Sequence, residues 1–125
     1  MLGPDQAAST VAVTETLWAE LDERFGDFAG SSLISTFAFD APWPTWEMHP
    51  AGDEFVYLLE GDTDMVLATP AGEELCRLSE AGEYLVVPRG TWHTARPRAA
   101  TRLLFVTPGQ GTENRERLPW EATDP

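Results

Sequence analysis

The sequence of 125 residues predicts an all-β fold, a small sandwich or barrel in a single domain. Three observations carry that expectation. Short runs rich in Val, Leu, Phe, Tyr and Thr follow one another from Ser32 onward, each of strand length. Turn clusters punctuate them: Glu60-Gly61-Asp62, Pro70-Ala71-Gly72, Glu80-Ala81-Gly82 and Pro88-Arg89-Gly90. The chain is also long enough for one core, since a domain of this size buries roughly two thirds of its unfolded surface.

Taken in order, residues 1–12 are small and polar and read as a flexible N-terminal segment. Residues 13–112 form the single barrel, and 113–125 a C-terminal arm rather than a strand. Within 15–25, Leu17, Trp18, Leu21 and Phe25 fall at helical spacing, which fits a short amphipathic helix or an irregular arm. Strands are expected at 32–39 and, after the break at Pro42-Trp43-Pro44, at 45–49. Others follow at 54–60, 63–69, 74–78, 83–87, 91–96 and 101–107. Phe37, Phe39, Phe55 and Phe105 read as core. Trp46 and Met48 alternate with Glu47 and His49 and therefore leave the opposite face. Trp92 faces away from its neighbour His93, and Trp43 is placed at a pocket rim.

Charge and cysteine usage narrow the function classes. With 21 acidic residues against 8 basic ones the net charge is −13, a surface that repels phosphate backbones, so nucleic-acid binding through a basic face is not expected. No apolar run approaches a membrane span. The first residues lack a basic stretch followed by an apolar block, which argues against a signal peptide. The lone Cys76 has no internal disulfide partner, and together these readings point to the cytoplasm. Arg96, Arg98 and Arg102 could meet an anionic substrate, although solvated surface charges are the simpler reading.

The chemistry concentrates in two segments. Glu47 and His49 share one strand face, Glu54 opens the next strand beyond the turn at 50–53, and His93 follows the apolar run Tyr84-Leu85-Val86-Val87 after a Pro/Gly break. Imidazole and carboxylate donors suit first-row divalent metals. A buried glutamate without a partner is costly, so Glu47 and Glu54 on one inward face each call for a cation or a donor. The expected site is Glu47, His49, Glu54 and His93 around one divalent transition metal: Fe, Mn, Ni or Zn.

These segments resemble the two cupin motifs. Glu47, His49, Glu54 and Gly61 match the first, and Gly82, Pro88, Gly90 and His93 the second, covering roughly positions 41 to 97 with a short interval between Gly61 and Gly82. Three positions depart from the pattern: Glu47 stands where the family usually has a histidine, Ala41 replaces a glycine and Pro97 an asparagine. The resemblance implies a double-stranded β-helix, or jelly-roll barrel, with a metal held at its centre by positions 47, 49, 54 and 93. It also implies a homodimer.

Two roles stay open for Glu47. It either ligates the metal beside His49, Glu54 and His93, or stands unligated as a general base next to a two-histidine, one-carboxylate set. The functional expectation is a metal-dependent enzyme, dioxygenase-like or isomerase-like, acting on a small organic molecule. The alternative is a non-catalytic module that binds or senses a metal or metabolite in the same pocket. A metal-free sugar-modifying barrel is disfavoured, because it gives the two histidines and two glutamates no reason for their spacing.

Overall fold

The computed structural model describes residues 1–121; the final part of the expected C-terminal arm, 122–125, lies outside the described residues. Among the described residues one α-helix precedes nine strands, and a short 3-10 turn (Pro119–Glu121) follows them: α1 (Leu17–Phe25), β1 (Leu33–Phe39), β2 (Trp46–Met48), β3 (Glu54–Glu60), β4 (Thr63–Thr69), β5 (Gly72–Leu78), β6 (Tyr84–Val87), β7 (His93–Pro97), β8 (Thr101–Thr107) and β9 (Glu113–Arg115). All strand pairings are antiparallel. They nest: β1 pairs with β8, β2 with β7, β3 with β6 and β4 with β5. This is one long ribbon folded back on itself and rolled, the jelly-roll arrangement. Cross-pairing of β3 with β8 and of β4 with β7 completes a four-stranded sheet, β1-β8-β3-β6, facing a five-stranded sheet, β5-β4-β7-β2-β9.

Alternation along the strands builds the core. On β3 the residues Glu54, Val56 and Leu58 are buried while Phe55 and Tyr57 are only partly covered. On β8 Thr101, Leu103 and Phe105 are buried in the same way. Val56, Leu58 and Leu103 from one sheet meet Met65, Leu67 and Ala95 from the other. Each fully buried side chain of this size contributes roughly 1.5–3 kcal/mol.

The structure departs from the sequence reading in several places. The tail that read as an arm adds β9 to the edge of its sheet, pairing Trp46 with Arg115 and Met48 with Glu113. Its residues Glu113-Asn114-Arg115 have no strand propensity of their own; the free edge of β2 supplies the partner. Residues 1–9, expected to be flexible, fold back: Leu2 bridges Ala8 and Ser32, Met1 is buried, and its amino group donates to the Ser9 carbonyl oxygen at 2.7 Å. Thr91 and Trp92 fall outside β7, which starts at His93. Phe37, expected in the core, is 53% exposed. Helix α1 forms where the periodicity placed it and buries Leu21.

Gly61, between β3 and β4, has φ +107°, and a Cβ there would run into the Ala100 carbonyl oxygen and lie 2.6 Å from Thr101 Cα. Both backbone strain and collision oppose any side chain. Gly61→Ala is therefore expected to lower the unfolding free energy by more than about 2 kcal/mol, read as a shift in the chemical-denaturation midpoint at unchanged slope. Wild-type stability in that variant would show that the turn can relax.

Candidate metal centre

The rolled ribbon brings four sequence-distant side chains together. Glu47 on β2 sits directly opposite His93 on β7. His49 follows β2 by one residue. Glu54 opens β3 in the facing sheet and projects across the interior. The two loops carrying these strands are tied to each other: the Gly90 amide donates to the His49 carbonyl oxygen at 3.0 Å, and the Arg89 amide to Asp53 Oδ1 at 2.8 Å. Arg89 also donates a guanidinium N–H to the Ala51 carbonyl oxygen at 3.1 Å. Both histidines are thereby fixed relative to one another, their ring centroids 5.2 Å apart.

Glu54 and His93 are almost fully enclosed, at 2% and 0% exposure, and His49 is buried. Glu54 Oε2 lies 3.2 Å from His49 Nε2, and Oε1 lies 3.1 Å from His93 Nε2. Glu47 Oε2 is 3.8 Å from both Nε2 atoms and is the more open carboxylate. Donor atoms of Glu47, His49 and His93 all lie within 4.8 Å of one another. The structure brings together all four residues singled out from the sequence.

The donor set fits a metal on three counts. First, both histidine Nε2 atoms and Glu54 Oε1 are buried without a hydrogen-bond partner among the described residues, a costly arrangement that a shared cation relieves. Second, the far ring nitrogens are engaged. His93 Nδ1 donates to the Thr91 carbonyl oxygen at 3.1 Å, which leaves Nε2 as the ring nitrogen available to a metal. His49 Nδ1 lies 2.8 Å from Thr112 Oγ1. Third, donors about 2.1 Å from a metal stand about 3.0 Å apart at right angles and about 3.4 Å apart in a tetrahedron. The Glu54 separations of 3.1 and 3.2 Å fall within that range, while the 3.8 Å separations of Glu47 lie beyond it.

The groups perturb one another. Burial alone would raise the Glu54 carboxyl, but close contact with His49 and His93 and their charge outweigh it and hold it down to about 2. Burial would lower His93, yet the adjacent Glu54 carboxylate keeps it above the ordinary imidazole value. Burial pushes Glu47 up, reinforced by the Glu54 charge and only partly countered by the histidines.

Threonines complete the surround, and sequence reading missed them. Thr107 Oγ1 donates to Glu54 Oε2 at 2.6 Å, Thr112 meets His49, and the Thr91 backbone orients His93. Only Thr107 left a signal: it ends the inward row Thr101, Leu103, Phe105 as a polar group in an apolar register. Arg96 and Arg98, considered for substrate binding, instead pair with Glu73 and Asp64 at the surface. Trp43 does line the cavity that opens from the site, packing against Phe39 and Phe105 with ring centroids 5.6 and 5.9 Å away. Trp92 is buried on the far side, with the Arg115 guanidinium 5.8 Å from its ring centroid.

A pH dependence follows for metal-free protein. The folded-state pKa of Glu54 lies below its ordinary value of 4.5, so its stabilisation is present above pH 4.5 and is lost as pH falls toward about 2. That loss should reach up to roughly 3 kcal/mol. Denaturant titrations from pH 5 to about 2 should show a steeper decline for wild type than for Glu54→Gln. Parallel declines would mean that Glu54 is not held ionised by the histidines.

No protein-family model matches the sequence, and no curated protein matches it. Solved structures do match. The hydroxypropylphosphonic acid epoxidase from S. wedmorenis, in complex with fosfomycin, aligns at TM-score 0.53 and 20% identity over 63% of this chain and 44% of its own. A cupin-2 domain containing protein from Shewanella frigidimarina aligns at TM-score 0.50 and 19% identity over 67% of this chain and 71% of its own. An oxalate oxidase aligns at TM-score 0.53 and 18% identity over 65% of this chain and 44% of its own. The chain thus spans less than half the length of the epoxidase and the oxalate oxidase. Strand order, nested pairing and these likenesses agree: the chain has the cupin fold, two antiparallel jelly-roll sheets around a histidine–carboxylate cluster.

Proposed function

We propose that the protein is a divalent-metal-dependent enzyme, an oxidoreductase or isomerase, acting on a small organic molecule that reaches the barrel centre. The observation that carries this reading is the meeting of two buried, unpartnered Nε2 atoms with the two oxygens of the buried Glu54 carboxylate, at 3.2 and 3.1 Å. His49, Glu54 and His93 would hold the metal, the two-histidine, one-carboxylate donor set that leaves coordination positions open. Fe, Mn, Ni and Zn all suit these donors, and Fe(II) and Co(II) forms of the epoxidase add weight to a first-row ion. When bound, the metal supplies Lewis-acid or redox chemistry at the substrate oxygens.

The remaining work falls to the chain. Glu47, raised by burial and facing the cavity, accepts or returns a proton at its Oε2. Thr107 and Thr112 hold Glu54 and His49 in place, and the apolar barrel beneath keeps water out. A second reading makes Glu47 the fourth ligand, favoured by its equal 3.8 Å distances to the two Nε2 atoms. A homodimer and a reducing, cytoplasmic setting belong to the same proposal. The outer face of the four-stranded sheet exposes Ile34, Tyr84 and Val86, which suits subunit contact, and Cys76 is a free thiol.

Metal analysis of purified protein should find about one Fe, Mn, Ni or Zn per chain. His93→Ala should abolish it. Glu47→Ala that keeps the metal but loses turnover makes Glu47 the proton carrier, whereas loss of metal makes it a ligand. No metal in wild type, even after anaerobic reloading, leaves the non-catalytic binding module as the reading. Separately, Thr112→Val should weaken metal binding roughly tenfold by freeing the His49 ring; unchanged affinity in a competition titration with a chelator would remove Thr112 from the site.

A further inference from the structure

The metal centre opens into a cavity of about 1510 Å³, beyond the roughly 300–1,000 Å³ of ordinary small-molecule pockets. Its inner end holds Glu47, His49 and Glu54. One wall is the inward row of β1, where the Phe37 and Phe39 rings stack at 5.8 Å beside Trp43. The N-terminal segment also lines it, through Val11, Val13, Leu17 and Trp18. By strand alternation Phe37 belongs to the core face, yet it is 53% exposed, and Val13 and Trp18 are 88% and 67% exposed. Large apolar side chains lining one cavity thus stand in water, and a ligand that covered them would gain their burial.

The charge of the walls excludes one ligand class. Among the described lining residues the side-chain charges are the carboxylates of Asp22, Asp27, Asp40, Glu47 and Glu54; His49 is the sole basic side chain, and no arginine reaches the cavity. The Met1 amino group, also on the wall, is bound to the Ser9 carbonyl oxygen. The sequence contains no lysine to swing in. Away from the metal centre, a phosphonate, phosphate or polycarboxylate would therefore meet carboxylates, with no arginine fork to receive it.

We propose that this cavity binds an extended molecule of two or more rings without anionic groups, its oxygen-bearing end at the metal centre and its apolar body against the β1 aromatics and the N-terminal segment. Placing the oxygen end rests on the metal-centre reading; the apolar subsite does not.

The test uses N-phenyl-1-naphthylamine, a neutral multi-ring fluorophore, with the full chain both as purified and after chelator treatment. Saturable binding in both preparations is expected, with no displacement by phenylphosphonate or inorganic phosphate. Phe37→Ser and Val13→Asp should each weaken it about tenfold. Val13, almost wholly in solvent, keeps the test valid if Phe37→Ser fails to fold. Absence of saturable binding, undiminished binding in every folded variant, or displacement by phenylphosphonate would overturn the proposal. Probe binding by a protein without metal would sink the metal reading and leave the apolar subsite standing; bound metal without probe binding would do the reverse.

Discussion

A glutamate at 2% exposure, wedged between two imidazoles, is the constraint around which this barrel is built. Burying a carboxylate without compensation costs several kcal/mol, and among the described residues its Oε2 accepts a hydrogen bond from Thr107. The remaining compensation comes from His49 and His93, and each of those is useful only because its other nitrogen is engaged by Thr112 or Thr91. The cluster is therefore a chain of dependencies. Loss of the partner on one ring frees that ring, and a freed ring leaves Glu54 exposed to the full cost of its burial.

The rolled ribbon is what makes such a cluster possible. Nesting β2 with β7 sets Glu47 beside His93, while β3 delivers Glu54 from the facing sheet. Backbone hydrogen bonds between the loops at 49–53 and 88–90 then lock the two motif segments together. The apolar layer of Val56, Leu58, Met65 and Leu103 lies below, so the polar cluster sits where a dry core meets an open cavity. Surface ion pairs such as Arg77–Asp62 and Arg96–Glu73 decorate the barrel and contribute little to its stability.

Asymmetry between the two carboxylates follows from their positions. Glu54 faces both rings and is held ionised; Glu47 is farther from them, more open and raised by partial burial. Environments that push two carboxyls apart in this way separate a structural anion from a group able to trade protons. Glu47, where the cupin motif usually has a histidine, thus gives the site a second carboxylate of different character.

Much of this was legible in the sequence, because its signals are local. Period-two alternation and Gly/Pro turns marked most of the strands, and the spacing of Glu47, His49, Glu54 and His93 pointed to four side chains that the structure brings together. Gly61 announced a turn that only a glycine can make. What the tertiary structure decided depends on partners distant in sequence. Glu113-Asn114-Arg115 becomes a strand only because β2 offers a free edge, and residues 1–9 fold back only because Leu2 finds Ser32. Thr107 and Thr112 join the site through contacts spanning the chain, which no short motif encodes. Phe37 carries a core residue's pattern, yet it lines a cavity, since alternation specifies which face a side chain takes and only the packing of the other sheet and the N-terminal segment specifies whether that face is covered.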